Sequence, residues 1–169
     1  MTRDAEPKEF FFEDGGKIPN NPNLPLLLYP KALEERDPSN IKNLLAGNGW
    51  SGAWVNGVFP YHHYHSTAHE VLAVTSGSAR ITFGGPEGET IEVASGDVVA
   101  IPAGVGHFNA GSSGDFVVVG AYPDGQAWDL LIGEPGERPE SLENIRNVPL
   151  PSSDPVFGDS GALPERWGF

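Results

Sequence analysis

Between Trp50 and Tyr122 the chain is cut into short β-prone runs by turn signals at steps of about 8–11 residues, a spacing that suits an antiparallel sandwich or barrel. The signals are Ser76-Gly77, Gly84-Gly85-Pro86, Ser95-Gly96-Asp97, Pro102 to Gly106, and Gly111 to Gly114. The runs themselves (VLAV, ARITF, TIEVA, VVAIP and FVVVGAY) are rich in β-branched residues, which fit a pleated, half-buried surface. No helical period appears inside this region. The expectation is an all-β core over about 50–122, with an N-terminal extension (1–49) and a C-terminal extension (123–169). The 169 residues make one domain, long enough to bury a substantial core.

The extensions carry weaker signals. Glu9 to Glu13 (EFFFE) reads as a short aromatic strand ended by the turn Asp14-Gly15-Gly16. Four prolines in IPNNPNLPLLLYP forbid a helix and confine any strand there to a sheet edge. Asp37 as N-cap, Pro38 at the first helical position, an Ile41-Leu44-Leu45 stripe and Gly47 as stop predict one short helix. A second is predicted over Pro139 to Asn147, with Leu142 and Ile145 facing inward. The last twenty residues show no regular pattern. They read as an extended tail anchored by Val156, Phe157, Leu163 and Trp167, wrapping the β core or a neighbouring subunit.

Charge and composition exclude several partners. The net charge is −13 and no basic run exists, so neither nucleic acid nor an anionic membrane is an expected partner. The chain has no cysteine, which removes disulfides, thiolate ligands and cysteine nucleophiles together. The N-terminal MTRDAEPKEF lacks the apolar stretch of a signal peptide, and no apolar run approaches membrane-spanning length. A soluble, cytoplasmic protein is expected.

The chemistry concentrates in two stretches, GVFPYHHYHSTAHEVLAVTSG (57–77) and GDVVAIPAGVGH (96–107). His63 and His65 sit two apart, so on extended chain both imidazoles project from one face. Glu70 follows a turn at Ser66-Thr67-Ala68, and His107 follows a Pro-Ala-Gly-Val-Gly turn. Three imidazoles and a carboxylate suit a divalent transition metal, whereas leaving all four buried without partners would cost several kcal/mol each. His62 and Tyr64 point to the opposite face, as does His69. Phe59 and Tyr61 share the parity of His63 and His65 and are candidate cavity-lining residues, as are Phe83 and Phe108; plain core packing serves each equally well. Trp50, Trp54, Trp128 and Trp167 are read as packing or dimer-interface residues, Arg80 as outward-facing, and Asp97 as a turn residue.

The two stretches resemble the paired motifs of the cupin superfamily. The first motif corresponds to Gly57, His63, His65, Glu70 and Gly77, the second to Gly96, Pro102, Gly104 and His107. The match departs at Gly111, where the family usually has asparagine; Asn109 lies nearby but out of register. IPNNPNLPLLLY, VGAYP, GERPE and the DPVFG of the tail extend the similarity to the small single-domain, YjlB-like cupins. This resemblance implies a jelly-roll β-barrel of six or more antiparallel strands with short flanking helices. A metal ion (Fe, Zn, Ni or Mn) would be held inside by His63, His65, Glu70 and His107, and homodimers are common.

Such a ligand set leaves about two positions open on a six-coordinate ion. Iron there implies dioxygenase-like chemistry on a small organic substrate, aromatic ones included; a redox-inert ion implies an isomerase, lyase or hydrolase. The alternative is a non-catalytic protein that binds or senses a small ligand. No helix-turn-helix accompanies the β core.

Overall fold

The computed structural model describes residues 6–169. Strands β1 (Lys8–Phe10), β2 (Leu26–Tyr29), β3 (Trp50–Asn56), β4 (Glu70–Ser76), β7 (Val98–Ile101) and β9 (Val117–Pro123) form a six-stranded sheet in the order β1-β2-β7-β4-β9-β3. Strands β5 (Ser78–Phe83), β6 (Glu89–Ala94) and β8 (His107–Ser112) form a second sheet in the order β6-β5-β8. Every ladder is antiparallel.

Strand parity divides the apolar residues between two cores. Leu26, Leu28, Leu72, Val74, Val99, Ile101 and Val118 face the small sheet, where they meet Ala79, Ile81, Phe83 and Val93. The alternate set, including Leu27, Tyr29, Val71, Ala73, Val98, Ala100, Val119 and Ala121, faces the other way. That face is covered by Ile41 and Leu45 of helix α1 (Pro38–Gly47) and by Val156, Leu163 and Trp167 of the tail. A sheet buried on both faces reads as unbroken apolar runs, which is why β2 and β7 are buried at every position.

The sandwich does not close into the expected barrel. The segment 57–69 runs along the open side, carries Pro60, and makes only the isolated bridges His63 to His107 and Tyr64 to Leu131. With so few main-chain pairs, its histidines lie on extended chain outside any strand.

The edge assignment for the proline-rich stretch is also corrected. Pro25 and Pro30 flank β2 rather than interrupt it, so its four residues keep their N–H groups and pair with β1 on one side and β7 on the other. The aromatic strand is shorter than expected, with Phe11 already two-thirds exposed.

Helix α1 begins as predicted, with the Asp37 carboxylate accepting from Ser39 N at 2.8 Å, a cap worth about 1 kcal/mol. Helix α2 (Glu140–Asn147) buries Ile145 and half-buries Leu142. The tail is less irregular than its sequence suggested. It contains helix α3 (Leu163–Trp167), entered through Pro164 and ended by Gly168 in a left-handed conformation (φ 81°). It packs on its own chain: Trp167 Nε1 donates to Pro25 O (2.9 Å), and Trp50 Nε1 to Ser153 O (3.0 Å). No helix among the described residues is long and apolar enough to cross a membrane.

Candidate metal centre

Two stretches of chain deliver the candidate ligands. His63 and His65 come from the 57–69 segment, Glu70 opens β4, and His107 opens β8. Main-chain bonds fix their spacing: His107 N donates to His63 O (2.9 Å), His63 N to His107 O (3.2 Å), and Gly104 N to His65 O (2.7 Å). Gly104 has φ +91°, and a Cβ there would lie 2.5 Å from Asn20 O, so the Pro102–Gly106 turn can pass this close only with glycine.

One donor atom of each of the three histidines lies within 4.8 Å of the others, and all three side chains are buried. Their tautomers follow from their partners. Nδ1 of His63 faces Tyr61 O (2.9 Å), Nδ1 of His65 faces Asp129 O (2.5 Å), and Nδ1 of His107 faces Val105 O (3.2 Å). A carbonyl can only accept, so each Nδ1 carries the proton and each Nε2 is left with a free lone pair. Glu70 Oε1 lies 3.2 Å from His107 Nε2 and 3.5 Å from His65 Nε2, yet this buried oxygen has no hydrogen-bond donor. Lone pairs gathered around a carboxylate oxygen call for a cation in their midst.

The electrostatics divide: His63 is held neutral, while the Glu70 charge draws toward His65 a proton that a cation would replace. Burial, reinforced by neighbouring His107, pushes His63 down to about 3 and keeps it neutral. Burial alone would raise the Glu70 carboxyl, but His65 and His107 outweigh it and hold the group below the ordinary carboxylate range. Burial likewise pulls His65 down, and the Glu70 charge overrides it and raises the imidazole.

The four groups sit at the floor of a cavity of about 340 Å³. Its wall includes Trp54, Val58, Phe59, Leu72, Tyr122 and Trp128. Trp54 Nε1 donates to the Tyr122 hydroxyl (2.7 Å), and burial together with the Glu70 charge raises that phenol well above its usual range. A larger groove of about 530 Å³, between Phe11, Phe12 and helix α2, contains no cluster of metal-ligating residues among the described residues.

Residues 35–127 match the Cupin family. The chain is a cupin. It is 46% identical over 164 residues to a Bacillus subtilis (strain 168) protein named "Uncharacterized protein YjlB", covering 97% of this cupin and 98% of that protein, which makes it YjlB-like.

Solved structures resemble the cupin more distantly. An acireductone dioxygenase from Bacillus anthracis with a cadmium ion in its active centre aligns at 19% identity with a TM-score of 0.38, over 54% of this chain and 62% of that one. A Bacillus subtilis oxalate decarboxylase with Mn(II) centres aligns at 21% identity and TM-score 0.38, over 64% of this chain and 27% of that one. The cupin thus spans less than two thirds of either chain.

The remaining candidates fall into place by parity and packing. Phe59 lines the cavity, and Tyr61 stacks on it at 5.1 Å just outside. Phe83 and Phe108 lie away from the cavity wall. Phe83 is fully buried between the sheets, and Phe108 packs edge-on against His62 at 4.5 Å. Tyr64 points away and donates to Glu137 (2.6 Å). His69 also points away, as strand alternation requires. Its Nδ1 accepts from Ala103 N (2.8 Å), its ring packs on Trp167 (5.0 Å), and burial lowers it to about 4. Arg80 is exposed as expected, while Asp97 braces its turn by accepting from Lys31 N and Ala94 N.

Two tryptophans are corrected. Trp54 and Trp128 belong to the cavity wall, whereas Trp50 and Trp167 are core residues. Sequence reasoning also missed Tyr122, Asp129 and Asn20. Asp129 holds His65 through its carbonyl, and its carboxylate accepts from Ser66 N (2.6 Å) and Ser66 Oγ. Asn20, in a left-handed conformation (φ 59°), accepts from Gly106 N (3.2 Å) and donates to Glu13 O and Gly84 O, tying down the turn before His107. The Pro-Asn-Asn-Pro sequence was the available signal, since asparagine tolerates that conformation.

Proposed function

We propose that this cupin binds one divalent transition metal through His63, His65, His107 and Glu70 and acts on a small organic molecule admitted through the adjoining cavity. The observation that carries the reading is the set of three Nδ1–H groups committed to carbonyls, which leaves three clustered imidazoles their Nε2 lone pairs, those of His65 and His107 within 3.5 Å of an unpartnered carboxylate oxygen. A bound ion would supply Lewis acidity or, if iron, redox chemistry of the dioxygenase kind; a redox-inert ion would suit isomerase or lyase chemistry. The chain's own part is to exclude water and fix one proton donor. Burial and the Glu70 charge keep Tyr122 protonated, and the Trp54 N–H fixes its oxygen, so the phenol proton faces Glu70 and whatever ligand enters beside it. The single-domain organisation, homodimeric assembly and cytoplasmic location expected from the sequence accompany this reading.

Elemental analysis of protein purified without chelator tests it, on wild type beside His65→Ala and His62→Ala. The expected result is near-stoichiometric metal in wild type and His62→Ala, with loss in His65→Ala. Iron would direct the search to oxygen-uptake assays. Zinc, nickel or manganese would direct it to isomerase, lyase or plain binding roles. Absence of metal from wild type after reconstitution would overturn the reading.

A further inference from the structure

The wall around the candidate metal centre limits both the charge and the shape of what it can hold. Among the described residues lining the cavity, Glu70 is the only carboxylate, and no lysine or arginine is present. A divalent ion beside one carboxylate and three neutral imidazoles leaves a single positive charge. One anionic group on the ligand would balance it. A second would lie against Val58, Phe59 and Leu72 without a counter-charge. The net charge of −13 further disfavours the approach of polyanions.

Shape is set by flat rings beside the histidines. The Phe59 ring lies 5.2 Å from the His63 ring, and Trp128 lies 5.5 Å from His65. Trp128 stacks on Tyr122 at 6.2 Å with only 22° between planes, yet remains 48% exposed, so much of the indole has no partner. Phe59 is similarly 45% exposed. At about 340 Å³ the cavity is at the small end of ligand pockets, a size for one ring rather than several.

Resting on the metal reading above, we infer that the site selects a planar aromatic monoanion, such as a single-ring carboxylate or enolate. The anionic group faces the metal and the Tyr122 hydroxyl, and the ring packs against Phe59 and Trp128. Aliphatic monoanions lose the ring contacts, and dianions lose charge balance.

Calorimetric titration of the zinc-loaded protein with benzoate, acetate, phthalate and inorganic phosphate tests this, with zinc content measured in the same samples. Benzoate is expected to bind saturably, at least about tenfold more tightly than acetate or phthalate, and only when zinc is present. Trp128→Ala should keep its zinc and bind benzoate about tenfold more weakly, and Phe59→Leu should weaken it in the same direction. Full zinc occupancy with benzoate no tighter than acetate, or with phthalate or phosphate tighter than benzoate, would overturn the inference and leave the metal reading standing. Failure of wild type to hold zinc would overturn both.

Discussion

Gly120 faces Trp54 across the β3–β9 ladder, and a Cβ at position 120 would lie 2.3 Å from the indole ring. The bare backbone lets the indole lie flat on the sheet and sends its Nε1 to the Tyr122 hydroxyl, one strand position beyond at the same face. Gly120→Ala should therefore displace Trp54, break that hydrogen bond and destabilise the fold by about 1–3 kcal/mol. Urea unfolding measures the loss. An unchanged midpoint would mean that the indole moves aside freely.

Asp154 should be among the most sensitive positions outside the metal centre. Fully buried, it accepts from the Tyr29 hydroxyl (2.7 Å) and from the backbone N–H groups of Val156, Phe157 and Leu163. Asp154→Ala strands four donors, and the expected cost is about 3–5 kcal/mol. Proteolysis should then cut first within the tail. Wild-type resistance there would show that the apolar anchors suffice.

Glu137 gives a pH dependence with a definite sign. Burial alone would raise its carboxyl, but hydrogen bonds from Tyr64 and from the backbone N–H groups of Ile132 and Gly133 outweigh that and lower it. A depressed carboxylate stabilises the fold above its unfolded pKa, and the contribution disappears as pH falls through the folded value. Because the side chain is still partly solvated, the effect is small, below about 1 kcal/mol. Stability should therefore decline on acidification below the ordinary glutamate range, and less steeply in Glu137→Gln. Equal slopes for the two proteins would remove Glu137 from the acid response.

Chelation should cost stability if the metal reading holds. An ion that binds only the folded chain at about a thousandfold excess over its Kd adds about 4 kcal/mol. Scanning calorimetry with and without EDTA should show a lower Tm in EDTA for wild type and no shift for His65→Ala. A shift of equal size in both would place the ion elsewhere.

The strands that build the site were legible because their burial leaves an alternation in the sequence. Glu70 shares parity with Leu72 and Val74 and faces the interior, while His69 shares parity with Val71 and faces the tail. Helix α1 was legible from Asp37 and Pro38 for equally local reasons. What escaped depends on contacts distant in sequence. Tyr122 and Trp128 become cavity residues only because β9 pairs with β3 and β4. Asp129 acquires its role from a bond across 64 residues. The open sandwich could not be foreseen from turn spacing, since closure depends on whether segment 57–69 pairs along its length.

Trp167 completes the cover over the outer face of the large sheet and bonds to Pro25, 142 residues earlier. A nascent chain emerges from the ribosome starting at its N-terminus, so β2 is exposed long before its cover exists. Leu27, Tyr29, Val71 and Val98 lack that part of their cover until Val156, Leu163 and Trp167 have been made. A chain cut before residue 156 therefore presents a wet apolar sheet, a substrate for chaperones and proteases.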